Sequence, residues 1–217
     1  MKLYNYWRSS ASWRVRIALA HKGVAYTYVP IHIVNSEQHQ LSYRERNPMQ
    51  QVPTLEIDDG ERTLEIGQSL AIIEYLEERF PKPHLLPEDR AGRARVRQLA
   101  EIINSGTQPF QNLPMLNYLK DELGADPKVL VSRMNERGLA AVEALSASIH
   151  TRFLVGDAPT IADLCLVPQL YSARRFGVDV DAYPTLLRVE AACAELPAFI
   201  DAHPDRQPDA PKAQGAT

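Results

Sequence analysis

Hydrophobic and polar positions obey two different rules along the chain, and the change falls near residue 81. Before it, short alternating runs exchange with helical spacing. Lys2–Tyr6 alternates as a strand, and Ser10–His21 then carries Trp13, Ile17 and Ala20 at helical intervals, with Gly23 where a C-terminal cap belongs. Tyr26–Ile33 is rich in β-branched and aromatic residues and predicts a second strand. The polar run Asn35–Arg46 has room for a short helix. Thr54–Ile57 and Thr63–Ile66 flank Asp58-Asp59-Gly60, a strong hairpin signal. A further helix starts near Ser69, with Leu70, Ile73, Leu76 and Phe80 on one face. The order β-α-β-(α)-β-β-α suits a small mixed sheet with helices packed on it.

Beyond Phe80 the grammar changes. PKPHLLP, Pro81 to Pro87, holds three prolines and reads as a linker. After it no strand pattern recurs, and helices are predicted over 90–105, 112–123, 128–151, 161–176 and 184–203. The residues from Pro204 onward read as a packed-down or frayed tail. The expected organisation is an α/β domain over 1–81, a linker over 82–88 and an all-α domain over 89–217.

Composition narrows the function classes. A formal net charge of -3 and a pI near 6.1 give no reason to expect nucleic acid as a partner. MKLYNYW moves straight into strand alternation without the apolar core of a signal peptide, and no window is long enough to span a membrane. Cys165 and Cys193 both fall in helical patterns, so they are expected as reduced packing thiols of a cytoplasmic protein. No spacing of Cys or His suggests a metal site. His21, His32 and His39 are expected at the surface or in packing.

The stretch YWRSSASWRVRIAL, Tyr6 to Leu19, sets hydroxyls at the junction between first strand and first helix. Capping alone explains a serine pair there, because a serine hydroxyl satisfies a free helical N–H. Serine-hydrolase chemistry is excluded: there is no G-x-S-x-G elbow and no histidine in a partnering context. A different role survives beside capping. The N-terminal end of a helix stabilises an anion, and a hydroxyl placed there can donate to a thiolate brought in by a ligand. Lowering a thiol pKa by two units requires about 2.7 kcal/mol, within reach of one charge-assisted hydrogen bond plus a helix end. QQVPTL places Pro53 before a strand, where a cis bond would turn the Val52 main chain outward to pair with an extended peptide. Gln68 and Ser69 open another helix, a seat for a carboxylate. Thiolate, peptide backbone and carboxylate together describe a short acidic thiol peptide.

The words SSASWRVRIAL, NPMQQVPTL, QSLAIIEYLEE, LLP, QPFQNL, GDAPTIADLCLVPQ, ARRFGVD and YPTL carry a resemblance. Running from Leu3 to about Pro208, they are similar to the zeta-class glutathione transferases, the group that includes maleylacetoacetate and maleylpyruvate isomerases. The resemblance implies a thioredoxin-like N-terminal domain, a helical C-terminal domain, glutathione as cofactor and a homodimer. It implies that Ser9, with Ser10, activates the glutathione sulfur within the loop Ser10, Ala11, Ser12, Trp13 and Arg14. Val52 and Pro53 would pair with the tripeptide backbone, and Gln68 and Ser69 would receive its γ-glutamyl carboxylate. Gln38 falls near another glutathione contact; Gln108, Asn112 and Leu113 match ligand-facing positions in the helical domain. The class motif reads Ser-Ser-Cys, whereas this chain has Ala11, so no thiol chemistry arises there.

The implied reaction is cis–trans isomerisation of a maleyl keto-acid, a small dicarboxylate, in the breakdown of aromatic compounds. The thiolate would add to the double bond, allow rotation, and leave. Maleylacetoacetate and maleylpyruvate both remain open as substrates. Two alternatives also stand: conjugation or dehalogenation of small α-halo acids, and a non-catalytic binding protein of the same fold. Arg8 and Arg175 are candidates for holding substrate carboxylates, the competing role being ordinary surface ion pairs. Arg16 is expected on a solvated or interdomain helix face, and Arg93, Arg95 and Arg97 on a solvated face or a dimer seam. Tyr4 and Tyr6 are assigned to the core. Thr160 and Asp163 form a capping box with no chemistry.

Overall fold

The structure, a computed structural model, describes residues 1–148 and 150–211. Ile149, inside one expected helix, and the last six residues of the expected tail lie outside the described residues. The chain forms two compact units: Met1–Pro83 together with the segment from Leu196 onward, and His84–Glu195.

In the first unit, β1 (Lys2–Asn5), α1 (Ser10–His21) and β2 (Thr27–Pro30) make a parallel β-α-β crossover. After the short helix α2 (Leu41–Arg44), β3 (Thr54–Asp58) runs antiparallel to β1, and β4 (Thr63–Gly67) antiparallel to β3. The four-stranded order β2-β1-β3-β4 is that of a thioredoxin-like sheet. α3 (Ser69–Arg79) follows. β2 is shorter than Tyr26–Ile33 because it is an edge strand paired only with β1, and Pro30 has no N–H to extend the ladder. Leu3, Val15, Ile17, Leu19, Leu55, Ile72, Ile73 and Leu76 fill the core, with Tyr4 and Tyr6 beside them.

Two buried cations hold this unit in register. Lys22, at the end of α1, donates to Glu77 Oε2 at 2.7 Å, Phe80 O at 2.7 Å and Pro83 O at 3.0 Å. Arg16 overturns the expectation of a solvated face: it is 1% exposed. Four acceptors explain how the charge is tolerated, namely Ala202 O, Asn5 Oδ1, Tyr6 O and Trp7 O. Burial lowers its pKa to about 10, and it remains charged near neutrality. Its bond to Ala202 also shows why the final segment groups here: the short helix Pro197–Asp201 packs on α1.

The second unit contains α4 (Arg90–Asn104), α5 (Leu113–Asn117), α6 (Pro127–Ser146), α7 (Ile161–Arg175) and α8 (Pro184–Ala194). The helix expected over 112–123 is α5 followed by a wider turn, Tyr118–Glu122. The helix expected over 184–203 is broken, because Pro197 lacks the N–H an uninterrupted helix would use and instead starts a new one. The Thr160–Asp163 capping box opens α7. No helix among the described residues is long and apolar enough to cross a membrane.

Candidate active site

The chain leaves β1 through Tyr6–Arg8 and enters α1 on Ser9, whose φ of -65° and ψ of 119° place it outside the helix as its N-cap. The Ser9 N–H donates to Tyr6 O at 3.1 Å, and its Oγ accepts from Ser12 N–H at 3.2 Å. Capping therefore occurs. A hydroxyl has two acceptor lone pairs and one proton, however, and the Ser9 proton meets no acceptor among the described residues. The N–H groups of Ser10 and Ala11, the next two, have no helical acceptor by geometry. No acidic side chain occupies the first turn to compensate the helix end. The leading end of α1 is thus an open donor cluster.

The remainder of the run turns inward. Ser12 is fully buried and its Oγ lacks a hydrogen-bond partner among the described residues. Trp13 packs edge-on against His203, ring centres 5.2 Å apart. Arg14 is fully buried and donates from Nη1 to Ser69 Oγ at 3.3 Å, so α1 and the start of α3 are joined by a cation. Gln68, the N-cap of α3, is exposed and sits at φ +68°, a left-handed conformation that costs a non-glycine residue about 1 kcal/mol or more. Ser69 follows it, 3% exposed. No acidic residue lies in the first turn of α3 either.

Between these helix starts lies Val52, joined to Pro53 by a cis peptide bond. The preceding carbonyl of Gln51 is fully engaged, accepting from the Tyr43 hydroxyl at 2.7 Å and Asn47 Nδ2 at 2.8 Å. The Val52 N–H and C=O, by contrast, meet no partner among the described residues. Gln38 is 7% exposed; its Nε2 meets the His39 ring at 3.1 Å while its Oε1 is buried without a partner among the described residues. The other His39 nitrogen lies 2.7 Å from Gln50 Oε1.

In the helical unit, Gln108 Nε2 donates to Asn112 Oδ1 at 2.7 Å across a tight turn, and Leu113 begins α5 half-buried. This turn has support that sequence reasoning missed. Gln169, fully buried on α7, reaches Gln111 Oε1 at 3.1 Å and Asn135 Oδ1 at 2.5 Å, and Asn135 donates back to Val131 O at 2.8 Å. The sequence signal was a glutamine inside the apolar run Leu164–Leu170 of that helix. Gly138 of α6 allows Thr107 to approach, since a Cβ there would lie 2.0 Å from Thr107 Oγ1. Arg175 is exposed at the end of α7, its guanidinium 5.8 Å from the Phe176 ring centre; Arg8 is half-buried, 5.2 Å from that of Trp7. Arg174, the residue before Arg175, is committed to Glu190 through two 2.6 Å bonds.

Both cysteines are buried, and burial pushes the Cys193 thiol far up. No three His, Cys, Asp or Glu side chains converge as a metal would need, among the described residues. The chain thus shows no ionised nucleophile of its own at these positions, and it offers donors to one.

Comparison with known proteins gives a consistent result. A family model described as the glutathione S-transferase N-terminal domain matches residues 3–84, and one described as the C-terminal domain matches 114–197. The chain is 47% identical over 211 residues to the probable maleylacetoacetate isomerase 2 of Drosophila melanogaster, covering 96% of this chain and 90% of that one. A solved holo structure of maleyl pyruvate isomerase, described as a bacterial zeta-class glutathione transferase, is 46% identical with a TM-score of 0.92, covering 97% of this chain and 100% of that one. The maleylacetoacetate isomerase of Anaeromyxobacter dehalogenans 2CP-1, solved with glutathione in its active site, is 54% identical with a TM-score of 0.90, covering 97% of each chain. The same protein has been solved with dicarboxyethyl glutathione and citrate.

Proposed function

Because the chain belongs to the glutathione transferase family, in its zeta-class branch, we propose that it is a glutathione-dependent isomerase that converts a maleyl keto-acid from cis to trans. The residues present fit the tripeptide. Among the described residues, the Val52 main chain has both hydrogen-bonding groups free, Gln38 Oε1 is buried without a partner, and the Ser9 proton is unused. Bound there, glutathione supplies a thiol whose ionised form adds reversibly to the double bond and is released unchanged once rotation has occurred.

The chain's own work is electrostatic and positional. Ser9 Oγ–H, with the N–H groups of Ser10 and Ala11, donates toward the sulfur and favours the thiolate. Val52 pairs with the peptide backbone beside Pro53. Gln68 and Ser69, with Arg14 behind them, receive the γ-glutamyl carboxylate at the start of α3. Gln108, Asn112 and Leu113 supply contacts from the helical unit. Arg8 and Arg175 hold the substrate carboxylates; the citrate in the active site of a solved relative supports a polycarboxylate as the kind of ligand held. Ala11 brings no second thiol to the loop, so the tripeptide sulfur acts alone. The functional protein is a cytoplasmic homodimer, with Arg93, Arg95 and Arg97 of α4 at its seam; light scattering should give twice the 24.4 kDa chain mass.

The observation that carries this reading is the Ser9 hydroxyl, which caps α1 as an acceptor while keeping its proton to donate. Maleylacetoacetate and maleylpyruvate, each offered with substoichiometric glutathione, should lose the cis isomer while free thiol is conserved. Thiol consumed one for one would indicate conjugation instead, and inertness toward both acids would sink the assignment.

A further inference from the structure

Trp7 lies two residues before Ser9, and its main chain is held on both sides by charged groups. Its N–H donates to Asp209 Oδ2 at 3.1 Å, and its carbonyl accepts from Arg16 Nη2 at 2.8 Å. Tyr6 O, which receives the Ser9 N–H, also receives Arg16 Nη1 at 3.3 Å. Both anchors lead to the same place. Arg16 Nε donates to Ala202 O at 3.2 Å, and Asp209 Oδ1 receives the Tyr28 hydroxyl. Ala202 and Asp209 belong to the segment after Leu196, which packs within the first unit.

We propose that Asp209 and Arg16 are positioning residues, which fix the Tyr6–Ser9 backbone and so aim Ser9 Oγ, making the segment after Leu196 part of the sulfur-activating apparatus. The proposal rests on the reading of Ser9 as donor to the thiolate.

The physical case is one of tolerance. A hydrogen bond to a developing thiolate is effective only when its oxygen is held within about half an ångström of the productive position. The cap bond to Ser12 fixes Ser9 Oγ relative to α1, but the loop that delivers Ser9 has no strand pairing of its own past Asn5. The carboxylate on the N–H side and the guanidinium on the C=O side clamp Trp7 through charge-assisted bonds, roughly twice as strong as neutral ones. Arg16 is buried with all four of its acceptors on β1, this loop or the final segment, so it cannot swing away without stranding a charge. A simple staple for the final segment would need none of these bonds to converge on Tyr6 and Trp7, three and two residues before Ser9.

The test is a pH titration of the thiolate absorbance of bound glutathione, with the glutathione Kd measured alongside. Wild type, Asp209→Asn and Tyr28→Phe are compared. Asparagine has nearly the same volume but cannot accept from both Trp7 and Tyr28; phenylalanine removes only the Tyr28 bond. Asp209→Asn should raise the bound thiol pKa by about one unit, a roughly tenfold loss of thiolate below neutrality. The Kd should change by less than about threefold, because the carboxylate seat at Ser69 is untouched. Tyr28→Phe should titrate close to wild type. Asp209→Glu keeps the charge but displaces its oxygens, and carries the same expected shift should the asparagine variant fail to fold. A variant that melts earlier yet titrates like wild type reduces Asp209 to a staple and overturns the proposal. Wild-type protein that binds no glutathione sinks the functional reading itself, visibly and before any variant is made.

Discussion

Two helices of this chain start on a hydroxyl with a polar residue three positions on, and they differ in what is left over. At the start of α7, Asp163 Oδ2 receives both the Thr160 N–H at 2.7 Å and the Thr160 hydroxyl at 2.8 Å, while Oδ1 receives Leu154 N–H at 2.9 Å. That circuit is closed. At the start of α1 the third residue is Ser12, which contributes its N–H to Ser9 Oγ but no anion, and the Ser9 proton stays available. A capping residue followed by a carboxylate consumes its own donors and stabilises the fold. One followed by a neutral residue leaves a donor for something else.

The largest effect should appear at the closed end. Asp163→Ala strands three buried donors and should cost about 4 kcal/mol of stability by urea unfolding, with activity per folded molecule unchanged. Lost specific activity would mean that the α7 start is not purely structural. The same residue sets a pH dependence. Burial raises its pKa from 3.8 to about 6, outweighing the lowering by its hydrogen bonds. The unfolded chain therefore ionises first, so this stability is fully present below about pH 4 and is lost as pH rises to about 6, about 3 kcal/mol in all. Subtracting the Asp163→Asn stability curve from wild type should recover that slope; parallel curves would contradict it.

At the open end the ranking reverses. Ser9→Ala should lower kcat/KM roughly a hundredfold, about 2.7 kcal/mol, while losing only about 1 kcal/mol of stability through the cap. Ser9→Thr, which keeps the hydroxyl, should recover most of the activity. The smallest effect belongs to the far end of α7, where the Arg174–Glu190 pair is partly exposed: Arg174→Ala should change stability by no more than about 0.5 kcal/mol.

Much of this contrast was legible in the sequence because it depends on local chemistry. The bounds of α1, the hairpin at Asp58-Asp59-Gly60 and the Thr160–Asp163 box follow from residues within a few positions of one another. Serines at 9, 10 and 12 announced a helix start. Long-range partners were the failure. Arg16 looked like a solvated charge because its four acceptors come from β1, the loop after it and a carbonyl 186 residues away. Asp209 carried no local signal, since its partners lie near the other end of the chain. The break at Pro197 was written in the sequence, but strong helical spacing on either side of it concealed the boundary.

The central claim is that Ser9 donates its proton to a sulfur it does not own. The direct measurement is the ultraviolet titration of glutathione thiolate in the complex, for wild type and Ser9→Ala at saturating glutathione. The account predicts a bound thiol about two units more acidic than free glutathione in wild type, with most of that shift gone in the variant. Two complexes that titrate alike, both depressed, would place the sulfur elsewhere and contradict it.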